Sequence, residues 1–331
     1  MINRPPAAHG RIRPAASSLA CFVVAGLAVT GLTPAEDRVP TVVDIKSDRI
    51  ILMDLERAGE RLLAVGERGF VLLSDDAGKR WKAVPTPVTR TLTGLAFKDA
   101  RVGVAVGHGA SVVRTEDAGA TWQQVRIEEA GTDSLLGITH VAGDHFIAYG
   151  AFGLLFDSAD AGRTWTRRTV IADDFDRHIS QVVTVDGTLL LVAESGSLAR
   201  SDDDGITWTP LKSPYEGSFF GALETRDKAL LVFGMRGNVY RTTDLGATWQ
   251  KVETGTTTSL MSARQLADGR ILFVGNVGLL AQSRDDGRTV ELHWSPASRG
   301  FASLIETPAG ILLAGESGVT RLDAAWLAKN P

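Results

Sequence analysis

Short runs of apolar and β-branched residues, separated by turn residues, recur along most of the chain. Within one stretch they occupy residues 92–97, 102–106, 111–114 and 121–125. Each run has the length of a short β-strand, and glycine or aspartate lies in most of the gaps between them. The apolar residues at 102–106 do not follow the three-to-four-residue spacing of a helix. The pattern therefore predicts an all-β chain of short strands joined by tight turns.

One eight-residue segment recurs six times. It reads TEDAGATW at 115–122, SADAGRTW at 158–165, SDDDGITW at 201–208 and TTDLGATW at 242–249. Two altered copies flank these, SDDAGKRW at 74–81 and SRDDGRTV at 283–290. Successive copies begin 41 or 43 residues apart, so the chain consists of one repeated structural unit.

A glycine-rich turn precedes each copy at a constant distance and joins the second strand of the repeat to the third. A seventh turn of this kind, at 315–318, follows the sixth copy, but the eight-residue segment is lost after it. We therefore expect seven repeats, the last incomplete. Four strands in about 40–45 residues are typical of a β-propeller blade. The predicted fold is an all-β, seven-bladed β-propeller.

The last repeat lacks a good fourth strand, and a β-rich run at 39–45 precedes the first repeat. We predict that this N-terminal strand pairs as the outer strand of the last blade. Such pairing would close the ring and leave few free sheet edges.

The N-terminus has the order of a secretory signal. Arg4, Arg11 and Arg13 precede an apolar run at 15–32, and small residues follow before the first acidic residue. We predict a signal peptide at 1–35 and a propeller at 36–331. The protein would then be exported, to a periplasm or to a thylakoid lumen in a phototroph. The run is near the lower length limit for a membrane span, so an uncleaved anchor is the alternative.

Charge and cysteine content exclude two classes of function. The net charge of the 331 residues is −4, and loss of the signal would remove three arginines and no acid. Nucleic-acid binding needs a basic surface, so it is not expected. Cys21 is the only cysteine and lies inside the apolar run, so cleavage of the signal would leave the mature chain without a disulfide or a reactive thiol.

The Ser/Thr-x-Asp-x-Gly-x-Thr-Trp signature resembles the Asp-box of sialidases and other BNR-repeat propellers. Seven repeats behind a signal segment look most like the Ycf48/Hcf136 family, known for photosystem II assembly factors, over about residues 40–325. The resemblance implies a non-enzymatic, protein-binding assembly or accessory factor whose partner is an integral membrane protein or complex. Family members also occur beside genes for RND-type exporters, which implies a second class of partner.

We expect the positions that are the same in most copies of the repeated segment to have a structural role. Its hydroxyl and carboxylate can accept hydrogen bonds from backbone N–H groups of the turn, its glycine permits a left-handed conformation, and its tryptophan can pack beside a neighbouring blade. The aspartates are Asp76, Asp117, Asp160, Asp203, Asp244 and Asp285; the tryptophans are Trp81, Trp122, Trp165, Trp208 and Trp249. The acidic segment 201–205 lacks the distal glutamate of an EF-hand, so no metal is expected.

A sialidase-like or other exo-glycosidase is the alternative function. Arg38 is a weak match to the first substrate-binding arginine of sialidases, and Tyr215 beside Glu216 is the one loop tyrosine that could be their nucleophile. His140 and His145 straddle a hairpin, which we interpret as surface decoration rather than a metal site. No phosphate-binding loop, dinucleotide fingerprint or nucleophile elbow occurs, so no catalytic residue and no cofactor are predicted.

In a propeller, the second-to-third-strand turns and the loops between blades share one face, opposite the Asp-boxes. That face is the expected recognition surface. The candidate binding residues on it are Arg68, Arg90, His108, Phe152, Phe175, Arg177, His178, Tyr215, Arg236 and Arg299.

Overall fold

Seven antiparallel sheets follow one another along the chain in the computed structural model, which describes residues 50–172, 174–296 and 298–322. Six sheets have four strands, and the seventh has three among the residues described. In every sheet, strands adjacent in sequence are hydrogen-bonded neighbours, so each sheet is one repeat. The prediction of a seven-bladed β-propeller is confirmed, and we number the sheets as blades 1 to 7.

The first four blades comprise sixteen strands. Blade 1 contains β1 (Leu52–Ala58), β2 (Arg61–Gly66), β3 (Phe70–Ser74) and β4 (Lys82–Pro85). Blade 2 contains β5 (Leu92–Phe97), β6 (Gly103–Gly107), β7 (Ser111–Thr115) and β8 (Gln123–Gln124). Blade 3 contains β9 (Leu135–Ala142), β10 (His145–Gly150), β11 (Leu155–Ser158) and β12 (Thr166–Arg167). Blade 4 contains β13 (Ile179–Val185), β14 (Thr188–Ala193), β15 (Leu198–Ser201) and β16 (Thr209–Pro210).

The remaining blades comprise eleven described strands. Blade 5 contains β17 (Phe219–Glu224), β18 (Leu230–Gly234), β19 (Val239–Thr242) and β20 (Gln250–Val252). Blade 6 contains β21 (Leu260–Gln265), β22 (Ile271–Gly275), β23 (Leu279–Ser283) and β24 (Glu291–Trp294). Blade 7 contains β25 (Phe301–Thr307), β26 (Gly310–Gly315) and β27 (Gly318–Leu322). The run at 39–45, predicted to complete blade 7, lies outside the described residues, so its pairing stays a prediction.

Helical structure within the described part of the chain is limited to short 3₁₀ turns. Five of them join second and third strands, and one lies between blades 2 and 3; their bounds are Glu67–Gly69, Glu128–Ala130, Ala151–Gly153, Glu194–Gly196, Met235–Gly237 and Asn276–Gly278. None of these described helices has the length and apolar character needed to cross a membrane.

A hydrophobic cluster fills each of the seven seams between neighbouring blades. The second and third strands are mostly unbroken runs of buried residues, because both of their faces pack against another blade. At the closing seam, Leu52 and Leu55 of blade 1 pack with Leu312 and Ala314 of blade 7, all at most 1% exposed. The described residues therefore form a ring that closes through apolar packing.

The repeated eight-residue segment forms the turn between the third and fourth strands, which we call the Asp turn. In blade 2, Thr121 donates to the Asp117 carboxylate from its backbone N (2.9 Å) and from its hydroxyl (2.6 Å). Thr115 Oγ1 donates to the same carboxylate (2.8 Å) and accepts from Gly119 N (2.9 Å). Gly119 has φ +81°, the left-handed conformation that glycine adopts without a steric penalty.

The altered first copy of the Asp turn keeps this arrangement with a different side chain. Arg80 stands where the other copies have threonine, and its Nε donates to Asp76 Oδ2 at 2.9 Å. The Arg80 backbone N also donates to the Asp76 carboxylate, at 2.9 Å. The substitution therefore retains both contacts that threonine makes elsewhere.

The tryptophans of the Asp turns pack at the seams. Trp122 lies in the cluster that contains Leu63 and Leu73 of the preceding blade. The Nε1 atoms of Trp81, Trp122 and Trp208 donate to the carbonyl of the turn glycine at 3.0–3.2 Å. The Nε1 atoms of Trp165 and Trp249 are buried without a partner.

Arginines on third strands reach across three seams. Each donates to a backbone carbonyl in the Asp turn of the next blade: Arg114 to Ala161 O (2.6 Å), Arg241 to Asp286 O (2.9 Å) and Arg321 to Ala77 O (2.6 Å). Arg321 thereby joins blade 7 to blade 1. Arg241 and Asp286 also form an ion pair of 2.6 Å, with side chains only 7% and 5% exposed. These contacts add polar connections to the apolar seams.

Candidate functional site

The second-to-third-strand turns rest directly on the loops that lead to the next blade. Gly69 ends the turn of blade 1 with φ +68°, and a Cβ there would lie 2.0 Å from Val88 O in the loop to blade 2. Thr86 Oγ1 in that loop donates to Gly69 O at 2.6 Å. In blade 3, Gly153 N similarly donates to Arg177 O at 2.9 Å. Turns and inter-blade loops therefore share one face, which we call the turn face.

The Asp turns lie at the other edge of the sheets. Ala118 N in the Asp turn of blade 2 donates to Arg101 O, and Ala161 N in blade 3 donates to Asp144 O, at 2.9 and 2.8 Å. Arg101 and Asp144 follow first strands, so these contacts occur opposite the turn face. We call this opposite side the Asp-turn face.

Large apolar side chains are exposed mainly on the turn face. The described residues include five exposed large hydrophobic side chains, and Ile51, Phe152, Val277 and Trp294 lie at or beside second-to-third turns. The fifth, Ile206, lies in an Asp turn and is 59% exposed, as much as Val277 at 58%. Single exposed apolar residues are common on protein surfaces, so it is the excess on one face that makes the turn face a candidate for contact with a partner.

Four of the predicted arginines form an arc on the turn face. Arg236 is in the turn of blade 5, Arg299 in the loop to blade 7, Arg68 in the turn of blade 1 and Arg90 in the loop to blade 2; all are exposed. Within the described residues, Arg90, Arg236 and Arg299 have no acidic group within 4.0 Å, whereas Arg68 Nε lies 3.8 Å from Glu67. The arc crosses the closing seam of the ring and presents free positive charge.

The other predicted residues lie on blades 2 to 4. Phe152 meets His178 edge to face, with ring centroids 4.9 Å apart, and its backbone N donates to His178 Nδ1 at 3.2 Å. Arg177 pairs with Asp176 at 3.4 Å, and His108 is exposed. Phe175 is partly buried and packs against the cluster between blades 3 and 4. The structure brings these residues onto the turn face as a second, aromatic sector.

Tyr215 contributes less surface than its loop position suggested. Its ring packs into the seam between blades 4 and 5, 5.9 Å from Phe219 and 6.1 Å from Tyr240. The sialidase alternative relied on this tyrosine, since Tyr149 and Tyr240 are buried in strands. Arg38, its other element, lies outside the described residues.

The histidine hairpin does not gather metal ligands. His145 Nε2 contacts Asp157, which also pairs with Arg168. His140 Nε2 is hydrogen-bonded to the Gly143 carbonyl. Over the described residues, no cluster of three or more histidine, cysteine or acidic side chains could hold a metal ion.

A central cavity of about 410 Å³ was missed by the sequence reasoning. The first strands of all seven blades line it, and Asp54, Glu56 and Arg264 bring charge into it. Asp54 occupies a position that is glycine in blades 2, 3 and 5, at Gly94, Gly137 and Gly221. An acid at a glycine position of the first strand is the signal that could have indicated this cavity.

Asp54 joins three consecutive blades. Its carboxylate accepts from Ser303 Oγ of blade 7 at 2.9 Å and from Leu95 N of blade 2 at 3.0 Å. Burial raises the pKa of Asp54 to about 7, and the nearby Glu56 carboxylate adds to this effect, although part of the Asp54 side chain still faces the cavity. Tyr149 also faces Asp54, and burial raises its pKa to about 12.

The folded protein should be most stable at mildly acidic pH. Hydroxyl donors lower the pKa of Asp203 and, to about 2, that of Asp244, so the contribution of these Asp turns is lost as pH falls below about 4. Burial raises the pKa of Asp54 from 3.8 to about 7, so its contribution is complete below about pH 4 and is lost as pH rises from there to about 7. Urea unfolding at a series of pH values from about 3 to 9 measures the loss of stability on both the acidic and the alkaline side of the maximum. In Asp54→Asn the decline between about pH 4 and pH 7 should be smaller than in the parent protein, with the remainder due to Glu56, whose pKa burial also raises; an unchanged decline would contradict the assignment.

Comparison with known proteins identifies the family. The family model described as photosynthesis system II assembly factor YCF48 matches residues 73–294, more than half of the chain. A search of curated protein sequences found no match.

Solved structures of the same fold include one described as YCF48 bound to D1 peptide, with TM-score 0.70, 14% identity and coverage of 85% of this chain and 95% of that one. YCF48 from Cyanidioschyzon merolae has TM-score 0.66, 14% identity and coverage of 84% and 96%. Virginiamycin B lyase from Staphylococcus aureus has TM-score 0.72, 12% identity and coverage of 84% and 96%. At these identities the structures show the shared fold, whereas the sequence match shows that this chain belongs to the Ycf48 family of photosystem II assembly factors.

Proposed function

We propose that this chain is an exported, non-enzymatic factor that binds a membrane protein complex through its turn face and assists its assembly or operation. Membership of an assembly-factor family supports the protein-binding role. A protein of the same fold has been solved with a D1 peptide bound, which supports a polypeptide as the ligand.

The observation that carries the proposal is the asymmetry between the two faces of the ring. Four of the five exposed large hydrophobic side chains among the described residues are on the turn face, and so is the arc of arginines. Aromatic, apolar and arginine side chains are the groups that contribute most to binding energy at protein interfaces. Arginines without acidic neighbours would favour an acidic segment of the partner, because they can form bidentate contacts with carboxylates.

The partner that we propose is an integral membrane protein, either of photosystem II or of an RND-type exporter. The first class follows from the family, and the second from the resemblance described above. In either case the protein would act in the lumen or periplasm after export by its N-terminal segment. The net charge of −4 argues against nucleic acid as the ligand.

The glycosidase alternative has less support from the geometry. A propeller of this shape can be an enzyme, as the lyase structure illustrates. However, the tyrosine that a sialidase-like reaction would use here packs against Tyr240 and Phe219 in a seam. We therefore propose binding rather than catalysis.

Charge reversal on the arc should weaken partner binding. We expect Arg236→Glu combined with Arg299→Glu to reduce capture of the membrane partner by at least about tenfold, because two attractive charges become repulsive. The measurement is affinity capture from detergent-solubilised membranes of the source organism, with bound proteins quantified by mass spectrometry.

The matched control is Lys79→Glu, an exposed charge reversal in an Asp turn. It should leave capture unchanged. Equal loss in the control and the double variant would place the interface elsewhere, and recovery of no membrane protein by any variant would contradict the proposed function.

A further inference from the structure

The central cavity is electrically polarised, with acids on one wall and unpaired donors on another. Glu56 comes from β1 in blade 1, and Arg264 comes from β21 in blade 6. Blade 7 separates these blades, and no ion pair within 4.0 Å joins the two side chains. Burial raises the pKa of Glu56, while the charge of Arg264 partly offsets that effect. The Arg264 guanidinium and the Glu56 carboxylate therefore interact electrostatically across the cavity without forming an ion pair, and space for a ligand remains between them.

The wall opposite the acids carries hydrogen-bond donors that have no acceptor among the described residues. Arg264 and Ser262 lie two residues apart on β21, and neither side chain has a partner among the described residues. Gln181 of blade 4 accepts from Ala222 N through Oε1 at 2.8 Å, so its Nε2 group is left to donate into the cavity. Guanidinium, hydroxyl and amide N–H groups facing the same space are suited to a carboxylate.

The acid wall is suited to an ammonium group. Glu56 lines the cavity; its Oε1 accepts from Arg57 N at 2.7 Å, and its Oε2 has no hydrogen-bond partner in the described residues. Asp54 lies two residues earlier on the same strand. A simple anion would be repelled by these two acids, and a simple cation would meet Arg264; a ligand that carries both charges satisfies both walls.

An apolar collar, contributed by four of the seven blades, lines the cavity next to the charged residues. It consists of Met53, Leu136, Phe220 and Met261, each one residue before the Asp54-equivalent position of its strand and each partly buried. Methionine side chains adapt to ligands of different shape. A volume of about 410 Å³ is within the range of small-molecule sites.

We propose that this cavity binds a small zwitterion with an apolar side chain, a free α-amino acid such as leucine or phenylalanine. Its carboxylate contacts Arg264 and Ser262, its ammonium group contacts Glu56, and its side chain contacts the methionines of the collar. This site would give the propeller a small ligand of its own, in addition to the protein bound on the turn face.

Three probes test the charge requirement. L-Leucine carries both charges, N-acetyl-leucine keeps only the carboxylate, and leucinamide keeps only the ammonium group. With the purified protein, ligand-observed NMR titration should show saturable binding of leucine and at least about tenfold weaker binding of the other two.

Two variants test the residues. Arg264→Gln and Glu56→Gln should each weaken leucine binding by at least about tenfold with no fall in the unfolding midpoint, since the Arg264 side chain makes no hydrogen bond or ion pair with the described residues and glutamine can keep the Glu56 contact with Arg57 N. The control is Arg270→Gln in the same blade; Arg270 pairs with Asp268 and does not line the cavity.

The proposal is overturned if leucine and phenylalanine show no saturable binding up to concentrations on the order of 10 mM. It is also overturned if all three probes bind equally, if leucinamide or N-acetyl-leucine alone accounts for the signal, or if Arg264→Gln binds leucine as the parent protein does.

Discussion

Arg241→Ala is expected to lower the free energy of unfolding by about 3–5 kcal/mol, the usual effect of leaving one member of a buried ion pair without its partner. The substitution removes the guanidinium that contacts both the Asp286 carboxylate (2.6 Å) and the Asp286 carbonyl (2.9 Å). The other carboxylate oxygen, Asp286 Oδ1, is already buried without a hydrogen bond, so the variant would contain a fully unpaired buried charge.

Arg200→Ala is the matched control, because Arg200 occupies the same position in blade 4. It pairs with Asp202 of its own blade at 2.8 Å and is 34% exposed, so its loss should cost within about 1 kcal/mol. Urea unfolding at pH 7 measures both variants. Equal destabilisation by the two substitutions would contradict the account of the seam.

A double variant separates lost charge from lost packing. Arg241→Leu with Asp286→Ala reproduces the residues that meet between blades 1 and 2, where Leu73 and Ala118 occupy these positions. An apolar replacement of a buried pair is often close to neutral, so we expect the double variant to recover more than half of the loss.

The repeat pattern was sufficient to predict the blades because every copy encodes the same local interactions. The strands predicted at 92–97 and 111–114 are observed as Leu92–Phe97 and Ser111–Thr115. The outer strand predicted at 121–125 is observed only as Gln123–Gln124, because the Asp turn holds Thr121 and Trp122 in its own hydrogen bonds. The sequence therefore predicts the propeller fold correctly, but it does not predict where strands end next to the Asp turns.

The candidate site was predictable in place but not in detail. The turn face carries Arg68, Arg236 and Phe152 as expected, because their turns have fixed positions in each repeat. Whether a side chain there is free depends on its neighbours: Tyr215 packs into a seam, whereas Arg299 remains exposed. Such contacts join residues of different repeats, so a local pattern does not encode them.

The pairing of charges in the central cavity was not predictable for the same reason, although Asp54 at a glycine position indicates the cavity itself. Glu56 and Arg264 are more than two hundred residues apart in sequence, and the closing of the ring brings them to one space. Each is unremarkable within its own strand. The pairing of Glu56 with Arg264 becomes visible only when the residues that differ among the seven first strands are compared in the folded ring.

We propose that the turn face, and not the Asp-turn face, binds the partner. Val277 and Ile206 offer a matched comparison, since they are 58% and 59% exposed and lie on opposite faces. Val277 is on blade 6, between the turn that carries Arg236 and the loop that carries Arg299. A photo-crosslinking amino acid at either position should leave the fold intact, because both side chains project from turns.

Crosslinking in intact cells at these two positions is therefore the most direct measurement. We expect the probe at Val277 to yield an adduct with an integral membrane protein and the probe at Ile206 to yield at least about tenfold less. An adduct formed mainly from Ile206, or equally from both positions, would contradict the claim that the turn face is the binding surface.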